Sequence, residues 1–281
     1  MIMQNNFLKL MGMLCFFTTS FTYAHGSLTK RIKEKTVAIS KNPKNADLYF
    51  DRGYLYEQHE EYNKAITDYL KSEKLGNSKI QLQYRKAQTY YSQRDFSKAL
   101  ESSNLYLAKN SSDVKINKLQ AQILTQLGAY DKAIKYYDFF IENAVDANPE
   151  DFIEYSKIYL AIGNNNYPKA IEIIEFGLKK LGNDTFSLQE RKLEYLESSN
   201  QIDKAIEQYN YFILSTKRTE FWYYNKAKYL FENKKILEAK IALQQAKSSV
   251  LLLTDKFQKT EATKALNTNI NDLENKLYNE K

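Results

Sequence analysis

Tyr62-Asn63-Lys64-Ala65-Ile66, Phe96-Ser97-Lys98-Ala99-Leu100 and Tyr130-Asp131-Lys132-Ala133-Ile134 are three copies of one phrase, and they decide the fold. Tyr167-Pro168-Lys169-Ala170-Ile171, Ile202-Asp203-Lys204-Ala205-Ile206 and Ile236-Leu237-Glu238-Ala239-Lys240 continue it. Successive alanines stand 34, 34, 37, 35 and 34 residues apart, the period of one helix–turn–helix unit. A ring or Ile three positions before the Ala lies one turn away on the same helix face. It fills space beside a neighbouring helix, while the Ala lets that helix approach closely. Tyr69, Tyr137, Ile174, Tyr209 and Leu243, four residues beyond the Ala, fill the next layer; Ser103 breaks this pattern, and Tyr106 one turn later compensates. Upstream lies a second apolar helix per unit, whose small and large pairs are Gly53 and Tyr56, Ala87 and Tyr90, Ala121 and Leu124, and Ala227 and Leu230.

Working outward, Leu28 to Ser40, closed by Asn42-Pro43, reads as a half-unit covering the first full one. Leu266, Ile270, Leu273 and Leu277 form one apolar stripe opposite Asn, Lys and Glu, as a terminal helix with one wet side requires. Leu75-Gly76-Asn77 and Leu181-Gly182-Asn183 are helix ends, because Gly accepts the left-handed conformation at low cost. In the fourth unit, Gly163-Asn164-Asn165-Asn166 widens the inner turn.

These residues resemble the tetratricopeptide repeat family over nearly the whole chain. The resemblance implies an all-α fold, an α-solenoid of about six tetratricopeptide-type helix–turn–helix repeats with helical caps. The family's early aromatic is weak in units two and three, and its closing Pro is mostly absent. The expected layout is a signal segment at 1–24, a capping half-repeat at 25–45, repeats at 46–249 and a C-terminal capping region at 250–281.

Composition agrees with this reading. The 281 residues hold three Pro and eight Gly, 43% hydrophobic and 27% charged residues, and 23 Tyr, so helices are favoured and seldom interrupted. The formal charge is +7, but basic residues are scattered among nearly as many acids with no Lys/Arg block, which argues against a nucleic-acid partner. Residues 1–24 run from Lys9 through an apolar stretch to Thr22-Tyr23-Ala24, the order of a secretory signal cleaved before His25. The stretch is shorter than the roughly 20 apolar residues that span a bilayer, and no other segment is apolar enough to span one. A periplasmic or secreted location is therefore expected. Cleavage would remove Lys9 and Cys15, the only cysteine, and leave a charge of +6.

With two histidines, no remaining cysteine and no glycine-rich phosphate loop, the mature chain lacks the groups for nucleophilic catalysis; no catalytic residue and no cofactor is assigned. His59 reads as a surface residue of an inner turn. A remote alternative gives His25, as the new amino terminus, a copper-binding role; no other metal site is assigned.

In the tetratricopeptide family the first helix of each unit lines a concave surface. The resemblance therefore implies partner contact at Phe50 and Tyr54, with Asp47, in unit one and at Tyr84, Gln88 and Tyr91, with Gln81, in unit two. Lys115, Lys118 and Gln122, with Gln126, follow in unit three. Glu190 and Glu194, with Glu197, belong to unit five, and Phe221, Tyr224, Lys228 and Phe231 to unit six. Phe50 and Tyr54 replace polar residues of the family's carboxylate-clamp subtype, which disfavours it although Lys115 matches one clamp lysine. The reading is a scaffold for a peptide segment or folded protein partner, in a cell-envelope or secretion assembly. The alternative is a glycan or peptidoglycan binder using groove tyrosines as stacking platforms.

Overall fold

The structure, a computed structural model, describes residues 27–163 and 166–279. The signal segment 1–24, Cys15, His25, and Asn164 and Asn165 of the widened turn lie outside the described residues. Every regular element among the described residues is helical. The chain forms two compact units, one ending at Asp146 and one beginning at Ala147.

Unit 1 opens with α1, residues 27–41. Three hairpins follow: α2 (Ala46–Gln58) with α3 (Tyr62–Lys74), α4 (Ile80–Ser92) with α5 (Phe96–Leu107), and α6 (Val114–Gln126) with α7 (Tyr130–Asn143). Unit 2 pairs α8 (Pro149–Ile162) with α9 (Tyr167–Leu181), α10 (Phe186–Ser198) with α11 (Ile202–Ser215), and α12 (Glu220–Glu232) with α13 (Ile236–Leu251). A single turn, α14 (Asp255–Gln258), leads to α15 (Glu261–Asn279), which lies against α12 and α13.

All six phrase alanines, Ala65, Ala99, Ala133, Ala170, Ala205 and Ala239, are wholly buried. So are the layer fillers Tyr69 and Ile174, with Tyr137, Tyr209 and Leu243 nearly so. Ser103 is buried as well and donates its hydroxyl proton to the Gln120 carbonyl, while Tyr106 supplies the missing bulk. The hydroxyl is thus satisfied by the next hairpin, which removes the cost of a lone buried polar group. In α15, Leu266, Ile270, Leu273 and Leu277 are buried, as their spacing predicts.

The inner turns share one geometry. Glu60 takes φ +59°, its N–H donates to the Glu57 carbonyl, and the Glu61 N–H donates to Tyr56. The same pair of bonds recurs around Arg94, Gly128, Asn200 and Lys234, each at positive φ. This is the Schellman stop, which satisfies carbonyls at the helix end. Only Gly128 among the five is a glycine, so these turns are held by the hairpin and not by glycine's freedom. Gly76 and Gly182, read from sequence as helix ends, also have positive φ.

Unit 1 adds polar clasps. Arg52 on α2 donates to both carboxylate oxygens of buried Asp68 on α3, at 2.7 and 2.8 Å. It also reaches Thr36 of α1 at 3.1 Å, and Lys35 of α1 pairs with Asp51 at 2.6 Å, tying the capping helix down.

Gly53 marks the tightest crossing. A Cβ added there would stand 2.7 Å from the Tyr69 ring and 3.2 Å from the Ala65 carbonyl oxygen. Tyr69 is fully enclosed and cannot swing away. Alanine is the better helix former by about 1 kcal/mol, yet Gly53→Ala is expected to destabilise the protein by about 1–3 kcal/mol through overpacking. Urea unfolding of the two proteins checks the sign.

Candidate functional site

Within unit 1 the first helices α2, α4 and α6 lie side by side. This gathers Phe50, Tyr54, Tyr84, Gln88, Tyr91, Lys115, Lys118 and Gln122 on neighbouring elements. Their rings are half-buried. Phe50 packs on Tyr69 with centroids 5.8 Å apart, Tyr84 on Tyr106 at 5.5 Å and Tyr91 on Phe96 at 5.6 Å. Burial pushes the Tyr84 hydroxyl to a higher pKa. Lys115 is exposed, whereas the Lys118 ammonium sits 5.3 Å from the Phe140 ring centre.

The connection between α2 and α4 runs through residues the sequence reading passed over. The Arg85 guanidinium lies 4.2 Å above the Tyr54 ring and donates to Glu57 at 3.2 Å and to Gln88 at 3.2 Å. Glu57 also accepts the Tyr69 hydroxyl at 2.6 Å and that of Thr89 at 3.3 Å. One half-buried carboxylate thus takes donors from α3 and α4. On the other side of α4, Glu73 accepts from Lys86 at 2.9 Å and Gln83 at 2.7 Å. Burial opposes ionisation there, but these two donors outweigh it and hold the carboxyl below its ordinary range.

Unit 2 repeats the frame with different chemistry. Ala65 and Ala205 are 140 residues apart, and the same step carries α2 onto α10, α4 onto α12, and the turn residues Glu60 and Arg94 onto Asn200 and Lys234. Glu57 falls on Glu197 and Tyr69 on Tyr209, and Tyr209 again donates its hydroxyl to that glutamate. Arg85, however, falls on Asn225, and Thr89 on Tyr229. Glu194 and Lys228 lie at this place, as their sequence positions imply; Glu194 accepts from Arg191 at 2.6 Å and Lys228 stands 3.7 Å from Glu232. Burial, then the charges of Glu232 and Glu194, raise the Glu197 pKa despite the Tyr209 bond. Glu190 is exposed, while Phe221, Tyr224 and Phe231 are half-buried against the C-terminal core.

Tetratricopeptide repeat models match residues 36–67 and 84–152. A tetratricopeptide repeat protein from Parabacteroides merdae superposes with TM-score 0.54 at 16% identity, over 87% of this chain and 93% of that one. The C-terminal part of a repeat-containing protein from Cytophaga hutchinsonii gives TM-score 0.63 at 14% identity, over 88% and 97%. The chain has the tetratricopeptide repeat fold. No curated protein sequence matches it. At these identities the tetratricopeptide likeness concerns the fold, and the site must be argued from its own residues. Among the described residues no three His, Cys, Asp or Glu side chains converge as metal ligands, and no helix is long and apolar enough to cross a membrane. His59 sits beside Glu61, with Nδ1 at 3.1 Å.

The glutamates of the two units should therefore respond oppositely to neutralisation. Glu57→Gln discards a charge-assisted bond to Arg85 and is expected to cost about 1–2 kcal/mol. Glu197→Gln keeps an acceptor for Tyr209 and removes a desolvated charge, so stability at neutral pH should be unchanged or higher. The folded-state pKa of Glu197 is raised above the usual 4.5. The native state then binds more protons than the unfolded one just above that pH, and stability declines as pH rises through the window. Denaturation of both variants at several pH values measures this, and Glu197→Gln should flatten the decline.

Proposed function

We propose that the chain is an exported, non-catalytic scaffold that binds a protein partner on the first-helix faces of its repeats. The carrying observation is the side-by-side placement of α2, α4 and α6, whose residues include exposed Lys115 and half-buried Gln88, Gln122 and tyrosines. Large amphipathic rings and flexible polar groups on stacked helices suit protein recognition, since rings bury much area at small entropic cost. Export is supported by the basic, apolar and small-residue order of residues 1–24, and an envelope or secretion assembly is the setting it suggests.

The ring geometry favours a protein over a glycan. Stacking on a sugar needs an open ring face, whereas Arg85 lies over one face of the Tyr54 ring and the half-buried Tyr84 and Tyr91 pack at a tilt against Tyr106 and Phe96, which reduces the ring surface offered. The same packing makes alanine variants of those tyrosines poor probes, because they would also empty the core. Lys115→Glu with Gln122→Ala changes the face at an exposed and a half-buried position instead. Affinity capture of the mature protein from its own envelope fraction should retain a specific protein that the double variant releases, with unchanged helical circular dichroism. Capture of cell-wall glycan alone, or of nothing specific across several salt conditions, would contradict the scaffold reading.

A further inference from the structure

Glu57 and Glu197 occupy the same position of their repeats, take the same bond from Tyr69 and Tyr209, and differ in what faces them from the next hairpin. In unit 1 the Arg85 guanidinium fills that place, bonded to Glu57 and lying over Tyr54. In unit 2 the counterparts are Asn225 for Arg85 and Glu194 for Tyr54, and the place is a cleft of about 590 Å³ lined by Glu197, Tyr209, Asn225, Lys228, Tyr229 and Glu232. A second observation is independent of the acids. Tyr229, 8% exposed, lines this cleft, and its buried hydroxyl has no hydrogen-bond partner; buried polar groups are normally paired, so an orphan calls for an explanation.

We infer that this cleft receives an arginine side chain of the partner polypeptide, whose guanidinium takes against Glu197, Asn225 and Tyr229 the place that Arg85 takes in unit 1. The chemistry is complementary. A guanidinium offers five N–H donors and no acceptor, and the cleft offers the Glu197 carboxylate, the Asn225 carbonyl and the Tyr229 oxygen as acceptors. A lysine ammonium is a compact point charge and matches such a spread of acceptors less well. Of the nearby cations, Arg191 pairs with Glu194, while Lys228 lines the cleft 3.7 Å from Glu232 and only partly offsets the rise in the Glu197 pKa. Burial raises the Glu197 pKa, with Glu232 and Glu194 adding to it, and burial raises the Tyr229 pKa, with Glu197 adding to it. A bound cation would relieve the unfavourable charge on Glu197.

The inference rests on the partner-binding reading and specifies the chemistry of one contact. It is tested with the blocked peptide acetyl-Gly-Arg-Gly-amide and its lysine and citrulline counterparts, titrated into the isotopically labelled protein while amide shifts are followed. The arginine peptide should give saturable shifts at Asn225, Lys228 and Tyr229 and bind at least about tenfold more tightly than citrulline. Glu197→Gln should abolish these shifts while leaving the remaining spectrum intact. Asn225→Arg supplies the guanidinium internally, so it should both block the peptide and raise the unfolding midpoint. Absence of saturable shifts, equal binding of citrulline or lysine, or undiminished binding by Glu197→Gln would overturn the proposal. If the peptide fails while Lys115→Glu with Gln122→Ala still releases a captured protein, the arginine site alone is rejected and the scaffold reading stands.

Discussion

At the crossing of α2 and α3 there is room for no side chain on one helix and a methyl group on the other, and the rest of unit 1 follows from that closeness. Gly53 faces the Ala65 carbonyl and the Tyr69 ring within distances that exclude an added carbon. The ring, held over the glycine, brings its hydroxyl to Glu57. Glu57 in turn takes Arg85 and Thr89 from the next hairpin. Packing within one hairpin thereby sets the position of the polar group that joins it to its neighbour. Interiors packed at crystal density transmit such constraints because they have little slack.

A frame this regular lets chemistry vary while geometry stays fixed. The step of 140 residues that carries Ala65 onto Ala205 preserves the limits of the first helices and the left-handed turns, yet exchanges Arg85 for Asn225. In unit 1 the carboxylate is neutralised from inside and contributes to cohesion between hairpins. In unit 2 its counterpart keeps the tyrosine bond, with two further glutamates and Lys228 nearby and no guanidinium upon it. Other contacts join the hairpins there, among them Phe212 stacked on Trp222 at 4.0 Å and the Lys226 ammonium donating to Asn210 at 2.7 Å. Exchanging an internal ion pair for an open acceptor site is one way for a repeat array to acquire binding specificity.

The hairpins were legible in sequence because their cause is local. An aromatic or Ile three residues before an alanine is a property of one helix turn, and its recurrence marks the repeats and the buried alanines, as the three- and four-residue spacing of Leu266, Ile270, Leu273 and Leu277 marks the stripe of α15. Ser103 was readable for the same reason, with Tyr106 replacing its bulk. Contacts between hairpins were not legible. Arg85 of the second hairpin reaches Glu57 of the first across 28 residues, and no short-range period marks such a pair. The recurrence of a glutamate twelve residues before a layer tyrosine, at Glu57 and Glu197, was the available signal. The rings implied as partner contacts lie on the first helices of their repeats, and their half-burial depends on neighbours in other helices. The division after Asp146 has no local signature beyond the loop before Pro149.

The central claim is that a buried alanine sets how closely the helices of each hairpin approach, and through that the spacing of the repeats. Equilibrium unfolding of Ala205→Leu, beside Leu214→Ala at an exposed site on the same helix, tests it most directly. The account predicts a loss of about 2–3 kcal/mol for the first, since an enclosed site cannot absorb the added carbons, and little change for the second. Equal, small effects in the two variants would contradict it.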